Sequence, residues 1–493
     1  MNIRMIGYIL CFMLRVEAVL MVPSMLIGIG SGEIESVKAF AITIVLLLAA
    51  SSWTLFNKPK NRAIYARDGF VLVGLAWIMM SLFGALPMTL SGAIPNYIDA
   101  VFEIVSGFTT TGSTILTDVE VLDRSIQFWR SFTHWIGGMG VLVFIMAIIP
   151  MSGDRSMHIM RAEVPGPSVD KLVPKARETA MLLYLLYIGI TVIEIILLKI
   201  GGMPTFDCFI ITFGTVGTGG FGITNISVGA YESKYLQWVI TIFMMLSGVN
   251  FSLYYMLITR QFSKALLNEE LRWYWVIFAV ASIIIAVNIL PMYKSFEEAI
   301  RLGAFQVASI MTTTGFATAD FNLWPELSRT ILVLLMFVGA CAGSTGGGLK
   351  VSRIMIMVKS TFREMRRLTH PRSVSLIKLD KKPLDQEVIN SVHIYFLAYM
   401  LIMALSVLLV SVDGFDFTTT VTSVIACFNN IGPGLEVVGP MGNFSEFSWF
   451  SKIVLSLDML FGRLEIYPMI ITMSVSTWKR KKKNNDKNEN SLS

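Results

Sequence analysis

VFEIVSGFTTTG, residues 101–112, closes a short apolar run with a threonine-rich stretch ending on glycine, and the chain writes variants of it three more times. CFIITFGTVGTG (208–219), AFQVASIMTTTG (304–315) and VTSVIACFNNIG (421–432) end at Gly219, Gly315 and Gly432 as the first ends at Gly112. Separations of 107, 96 and 117 residues mark a unit repeated four times. A single loop of this kind is a turn. Four are what a pore on a pseudo-fourfold axis requires, since it needs four equivalent backbone loops.

Composition says where such a ring sits. Of 493 residues, 54% are hydrophobic and 15% charged, and the mean hydropathy is +0.66, which reads as a polytopic membrane protein. Segments of about 20 residues, enough to cross roughly 30 Å of hydrocarbon, fall near 6–29, 37–56, 69–90, 127–150, 178–200, 235–258, 273–293, 330–352, 388–411 and 448–474. The first runs directly into the second without a small-residue cleavage site, so it reads as a helix and not as a removable signal peptide. Connections 57–68, 151–177, 259–272 and 353–387 and both termini hold most of the 40 Lys and Arg, which assigns them to the cytoplasmic side of an inner membrane. The opposite connections carry acids such as Glu33, Glu35, Asp118, Glu120 and Asp123, a mild attraction for cations at an entrance. The net charge of +6 is then a topological bias and not a sign of nucleic-acid binding.

The expected fold is an all-α polytopic membrane protein of four span–pore helix–span repeats around a pseudo-fourfold pore, preceded by two extra transmembrane helices. Residues 1–68 form the leading helices. Pore repeats 1 to 4 occupy 69–177, 178–272, 273–387 and 388–476, the third with a glycine-rich segment, and 477–493 is a basic disordered tail. Short helices near 97–108, 205–215, 299–311 and 417–428 are too short to cross the bilayer, so they must re-enter. Non-helical backbone at that depth is tolerated where it is buried in protein or lines a water-filled cavity, and the negative end of each short helix points at its loop, favouring a cation.

Thr109, Thr110, Thr111 and Gly112; Val216, Gly217, Thr218 and Gly219; and Thr312, Thr313, Thr314 and Gly315 present carbonyls and hydroxyls without a carboxylate, lysine or arginine. Neutral oxygen dipoles replace the hydration shell of a weakly hydrated monovalent cation, whereas a divalent site more often shows Asp or Glu. Cys11, Cys208, Cys341 and Cys427 are scattered without metal-ligand spacing. The four histidines, His134, His158, His370 and His393, cluster with no carboxylate, and no phosphate-binding GxxxxGK occurs. Nothing argues for an enzyme or a covalent cofactor.

DAVFEIVSGFTTTGST (99–114), TVGTGGF (215–221), SIMTTTGFAT (309–318) and NNIGPG (429–434) resemble the four filter segments of the Trk, Ktr and HKT superfamily of potassium-transporting membrane subunits. The likeness covers residues 69–474, and the two leading spans make it similar to the bacterial TrkH-type branch. It implies a potassium filter built from Thr110, Thr111 and Gly112; Gly217, Thr218 and Gly219; Thr313, Thr314 and Gly315; and Asn430, Ile431 and Gly432. One glycine per repeat marks the filter in that family, and serine at the first is associated with sodium transport in some members. The fourth loop departs from the threonine pattern through Asn429, Asn430 and Pro433, which makes ring symmetry imperfect. The resemblance also implies a homodimer with one pore per subunit and a cytoplasmic TrkA/KtrA-type nucleotide-binding regulatory subunit docking on the basic inner loops.

Two features fall beneath the filter. The run GACAGSTGGGLK (339–350) sets Gly339, Gly343, Gly346, Gly347 and Gly348 inside an otherwise apolar span, and each glycine costs a helix up to about 1 kcal/mol relative to alanine. A break or flexible loop is expected, the alternative being close helix packing through small residues. The resemblance makes it an intramembrane gating loop, with Lys350 at its end facing the cytoplasmic cavity. Arg463, about fifteen residues into the last span, lies below the filter, where a charge costs roughly 2.5–3.5 kcal/mol unless it meets a cavity or partner. It reads as a positive barrier paired with the gating loop, or as an ion pair with Asp458 or Glu465, or as snorkelling inward.

Glu103 could tune the local potential or be a hydrogen-bonded structural acid. Arg130, His134 and Trp135 read as an interfacial belt. FREMRRLTHPR (362–372) and KRKKK (479–483) could contact anionic lipid headgroups or serve only as topological determinants. The expected function is channel-like potassium uptake. The alternative is a symporter coupling potassium to H⁺ or Na⁺, for which Glu17 and Glu194 are isolated carboxylate candidates, and a non-transporting scaffold would have no use for four matched loops.

Overall fold

The computed structural model describes residues 1–56, 59, 65–140, 176–372 and 375–478. Residues 141–150 of the fourth expected span, the 151–175 part of the connection after it with His158, most of 57–64, and the tail from 479 with its KRKKK run lie outside the described residues.

Two leading helices, Ile3–Ser31 and Ile34–Phe56, pack antiparallel across the αL turn at Gly32 (φ 78°). At Gly28 an added Cβ would fall 2.9 Å from Val37 and 3.2 Å from Ser125, so the absence of a side chain lets the first helix lie against both the second and the first repeat. Among the described residues six helices are long and apolar enough to cross a membrane, or seven if one bent pair is counted.

Each repeat crosses with a long helix, returns part-way through a short one, and turns back into a second helical stretch. The first spans are Ala66–Gly84 with Leu86–Leu90, Ala176–Ile200, Glu269–Ile289 and Gln386–Val410. The short helices are Tyr97–Phe108, Thr205–Val216, Phe296–Met311 and Phe417–Phe428; three have 12 residues, about 18 Å at 1.5 Å per residue, and cannot span. Their starts are written locally. Asn96, Ser295 and Asp416 accept hydrogen bonds from first-turn amides, and Asp99, Asp207, Glu297 and Glu298 sit in first turns where the helix dipole favours an anion. Their C-terminal halves are wholly buried.

The second spans of the second and fourth repeats are not the continuous helices expected. Lys234–Ser247 turns through 94° into Phe251–Ile258. Glu326–Met336 unwinds over 337–350 before Val351–Thr369 resumes, which is the break expected of the glycine run. Trp449–Arg463 stops, Glu465 and Ile466 take positive φ of 59° and 64°, and Tyr467–Met473 follows. Arg124–Gly138 ends at Met139–Gly140, the edge of the described segment. The breaks pack against the loops that follow the short helices, Gly248 near Thr312, Gly347 near Asn429 and Gly462 near Phe428. A two-residue antiparallel pair, Lys378–Leu379 with Lys382–Pro383, is the sheet among the described residues.

Candidate functional site

All four short helices end in one Schellman geometry. The N–H groups of Thr110 and Thr111 bond back to Gly107 and Ser106; Thr218 and Gly219 to Thr215 and Gly214; Thr313 and Thr314 to Ile310 and Ser309; Asn430 and Ile431 to Cys427 and Ala426. The residue at the left-handed position is Thr110, Thr218, Thr313 or Asn430, with φ of 55°, 55°, 58° and 56°. Threonine there costs on the order of 1–3 kcal/mol, a strain retained only where surrounding structure enforces it. Asparagine takes the conformation more easily, so the fourth loop keeps the backbone of the others in spite of its different side chains.

Two residues further on, Gly112, Gly220, Gly315 and Gly432 have φ of 82°, 78°, 84° and 99°. The equivalent glycine of the second repeat is therefore Gly220, and the block ending at Gly219 is out of register by one; Gly217 aligns with Thr109, Thr312 and Asn429. Three glycines in GTGG allow either alignment. The dipeptide Gly220-Phe221, matching Gly315-Phe316, was the signal that selects the correct one.

These glycines close a ring. A Cβ built on Gly112 would overlap the carbonyl oxygen of Gly219, one on Gly220 that of Thr314, and one on Gly315 that of Ile431; one on Gly432 would lie 2.8 Å from that of Thr111. Each loop thus abuts the residue before the next loop's glycine, in the order one, two, three, four, one. The fourth joint is the loosest.

The ring separates two cavities. The upper one touches all four glycines together with Ser113 and Thr114; the lower one is lined by Gly343, Gly346, Gly347, Gly348, Lys350 and Arg463 among others. Carboxylates are absent from the four loops.

Buried polar groups hold the ring from behind. Glu103 accepts from Thr114 Oγ1 and the Ile115 N–H, both at 2.9 Å, and from Arg130, whose guanidinium stacks 3.6 Å from the centre of the Phe221 ring and donates to Gly222 O. His134 Nδ1 meets Gly107 O at 2.8 Å, while Nε2 accepts from the Phe221 N–H. Arg130 and His134 are 2% and 0% exposed, so they are braces between the first and second loops and not an interfacial belt. Trp135 bonds Thr191 Oγ1. Sequence missed this because the partners lie up to 92 residues apart. Asn430 Nδ2 donates to Thr111 Oγ1 (3.0 Å) and Met459 O (2.9 Å), tying the fourth loop to the first.

The glycine-rich segment packs directly under the third and fourth loops. Gly347 N–H donates to Thr313 Oγ1 at 2.6 Å, and a Cβ on Gly347 would meet Asn429 O at 2.7 Å. Lys350, 1% exposed, lines the lower cavity but turns its ammonium back onto the carbonyls of Gly346 and Gly347. Arg463 reaches across: it donates to Thr345 O at 2.7 Å on the segment and to Gly137 O and Gly138 O (2.6 Å) on the first repeat's second span. The two acids considered for it are engaged elsewhere. Asp458 accepts from Ser406 Oγ at 2.6 Å, and Glu465 is paired bidentately with Arg353, which lies 4.0 Å over the Tyr395 ring. The Arg353–Glu465 pair was not foreseen.

The profile of a family described as "TrkH: Cation transport protein" matches residues 36–482. The chain belongs to the TrkH family. It is 36% identical over 451 residues to the Trk system potassium uptake protein TrkH of Salmonella typhimurium, covering 90% of this chain and 92% of that one. Over 486 residues it is 34% identical to the protein of the same name from Halomonas elongata, covering 97% and 100%. The crystal structure of the potassium transporter TrkH from Vibrio parahaemolyticus superposes with a TM-score of 0.86 at 32% identity, covering 97% of this chain and all of that one. Membership makes this chain a multi-pass membrane transport protein and not an enzyme, as the sequence led one to expect.

Proposed function

We propose that this chain takes up potassium across the cytoplasmic membrane, with both termini cytoplasmic, the ion shedding its water at the four-loop ring and its passage controlled by residues 339–350 and Arg463. The observation that carries this reading is the cyclic abutment of Gly112, Gly220, Gly315 and Gly432 on their neighbours' carbonyls between two cavities. A pathway bounded by neutral oxygens suits a weakly hydrated monovalent cation. The names of the relatives, potassium uptake proteins of a Trk system, support that choice of ion.

The filter set in structural register is Thr110, Thr111 and Gly112; Thr218, Gly219 and Gly220; Thr313, Thr314 and Gly315; Asn430, Ile431 and Gly432. Gly343, Gly346, Gly347, Gly348 and Lys350 form the gate beneath it, and Arg463 is the fixed positive charge that bars cations while the segment is seated. A separate cytoplasmic nucleotide-binding subunit of the TrkA/KtrA type regulates it through the basic inner loops, and the working unit is a homodimer with one pore per subunit, surrounded by membrane lipids. Reconstituted protein should give Rb⁺ flux whose reversal follows the potassium gradient alone, with and without such a subunit. Reversal that moves with pH or sodium would replace the channel reading by symport. Glu17 and Glu194 are both buried, but neither lines either cavity, so they offer no relay along the path.

A further inference from the structure

The glycine-rich segment has a neck. Gly339 N–H bonds Leu349 O at 2.7 Å and Val351 N–H bonds Ala340 O at 3.2 Å, so both ends of the loop are drawn together before the helix Val351–Thr369 departs. One side chain then grips both ends at once. Glu270 Oε1 accepts from the N–H of Ala342 and from the N–H of Ser352, each at 2.9 Å. The carboxylate is 7% exposed and stands on the first turn of Glu269–Ile289, a separate span of the same repeat. Ser352 lies in the first turn of its helix, where unpaired N–H groups and the dipole favour an anion. Its neighbour Glu269 holds the same helix two turns on, through Lys359, and also accepts from the Asp380 N–H at 3.3 Å.

We propose that Glu270 is the staple of the gate: by joining Ala342 and Ser352 to the Glu269–Ile289 span through one oxygen, it holds the glycine-rich segment seated under the filter, and its withdrawal frees both ends of the segment together. The assignment rests on the gating role argued above for residues 339–350. Its physical basis is that a buried N–H left without an acceptor is costly. Both N–H groups lose their acceptor in the same event, so the two ends are released from the Glu269–Ile289 span together. The glycines then have the conformational freedom to move once released. Lys350 and Arg463 grip the middle of the segment, whereas Glu270 grips its root, which makes the staple the point where a pull on the Val351–Thr369 helix is converted into movement of the segment.

The segment carries its own reporter. Cys341 sits beside Ala342 and is 1% exposed, so its reaction with a small water-soluble methanethiosulfonate, resolved from the other three cysteines by peptide mass, measures release of the loop. In the full-length protein in liposomes, Glu270→Ala should speed Cys341 modification about tenfold and raise Rb⁺ flux without any regulatory subunit by a similar factor, the size expected when a buried donor loses its acceptor. Glu270→Gln keeps a carbonyl acceptor at the same reach and should stay within about threefold of the parent on both readouts. An unchanged Cys341 rate in folded, monodisperse Glu270→Ala protein overturns the staple. Should that variant not fold, Glu270→Asp, a carboxylate withdrawn by one methylene, is read in the same way, and an unchanged rate there overturns it equally. If Cys341 becomes reactive while Rb⁺ flux stays at the parent level, the staple stands and the gating role of residues 339–350 fails.

Discussion

The four-loop ring and the layer beneath it answer the same fourfold plan differently. Above, four loops from sequence as unlike as TTTG and NNIG share one hydrogen-bond pattern and one pair of positive-φ positions. Below, the described second spans break in unlike ways: a 94° bend at Gly248–Asn250, an unwound stretch at 337–350, and two left-handed residues after Arg463. Symmetry is kept where an ion would be surrounded from four sides. It is dropped in the layer beneath, where the proposed function asks one segment to move against the others. The side chains that cross the lower layer join the third repeat to another one, Arg463 through Thr345 and Glu465 through Arg353.

The largest effect should come from testing the ring itself. Gly220→Ala drives a methyl group into the Thr314 carbonyl at a positive φ, and overpacking of roughly 3 kcal/mol would lower potassium uptake about a hundredfold. Gly432→Ala meets a carbonyl 2.8 Å away and should cost uptake only about tenfold. Uptake assays in a host lacking other potassium systems rank the two, and equal losses would break the claim that the fourth joint is looser. Gly112→Ser should weaken selection of K⁺ over Na⁺, and unchanged permeability ratios would remove the first loop from the filter.

Next in size is Arg463→Ala. The guanidinium bridges carbonyls on two repeats, and hydrogen bonds to charged groups contribute about 1.5–3 kcal/mol. Flux without the regulatory subunit should rise roughly ten- to a hundredfold, while Arg463→Lys, a point charge without the planar fork, should recover only part of the block. Loss of folded protein without increased flux in the folded fraction would make the arginine a strut and not a barrier.

A smaller effect is expected at the Arg353–Glu465 pair. Glu465 and Ile466 are non-glycine residues at positive φ, and Ile is β-branched, so the break after Arg463 is strained and needs an anchor. The bidentate pair, stacked on Tyr395, supplies it. Arg353→Ala and Glu465→Ala should each raise unregulated flux about three- to tenfold, and the double variant should match either single one. Additive effects would mean that the two side chains act on the gate separately.

How much of this could be read beforehand depends on whether the signal was local. Short-helix boundaries near 97–108, 205–215 and 417–428 agree with the structure to a residue because caps, apolar run and terminal turn are contiguous in sequence. The break at 339–350 was legible for the same reason, three consecutive glycines being a strong statement. The break at Glu465–Ile466 was not, since neither residue favours that conformation and the partner of Glu465, Arg353, lies 112 residues away. The burial of Arg130 and His134 and the double grip of Glu270 were hidden likewise. Each is a polar residue near a span end, where sequence alone suggests the interface. The slip at Gly219 has a different origin: repeated glycines allow two registers, the Gly-Phe dipeptide shared with the third repeat favours the correct one, and φ with the abutting carbonyl fixes it.

The smallest effect expected lies above the ring and tests whether the vestibule adds anything to symmetry. Asp118 Oδ1 accepts from Asn225 Nδ2 and from the Glu120 N–H, both at 2.9 Å, and the Asn225 contact joins the outer connections of the first and second repeats. The Asn225 side chain first, and the backbone amides of Glu120 and Val121 after it, hold the carboxyl below the usual carboxylate range against a small opposing effect of burial. A group whose pKa is depressed in the folded state keeps its charge, and the associated stability, above its ordinary pKa and loses both as pH falls through the lowered value. Asp118 should therefore stay ionised from pH 5 to pH 8, leaving flux unaffected by its titration there. Asp118→Asn should reduce initial Rb⁺ uptake by less than about twofold at 0.1 M salt, where the screening length is about 10 Å, and by more at 0.01 M, where it is about 30 Å. A wild-type flux that titrates between pH 5 and pH 8 and flattens in Asp118→Asn would contradict the hydrogen-bonded geometry. A loss independent of salt would show that the residue matters for the tie to Asn225, and that the outer cavity takes its shape, more than its charge, from these connections.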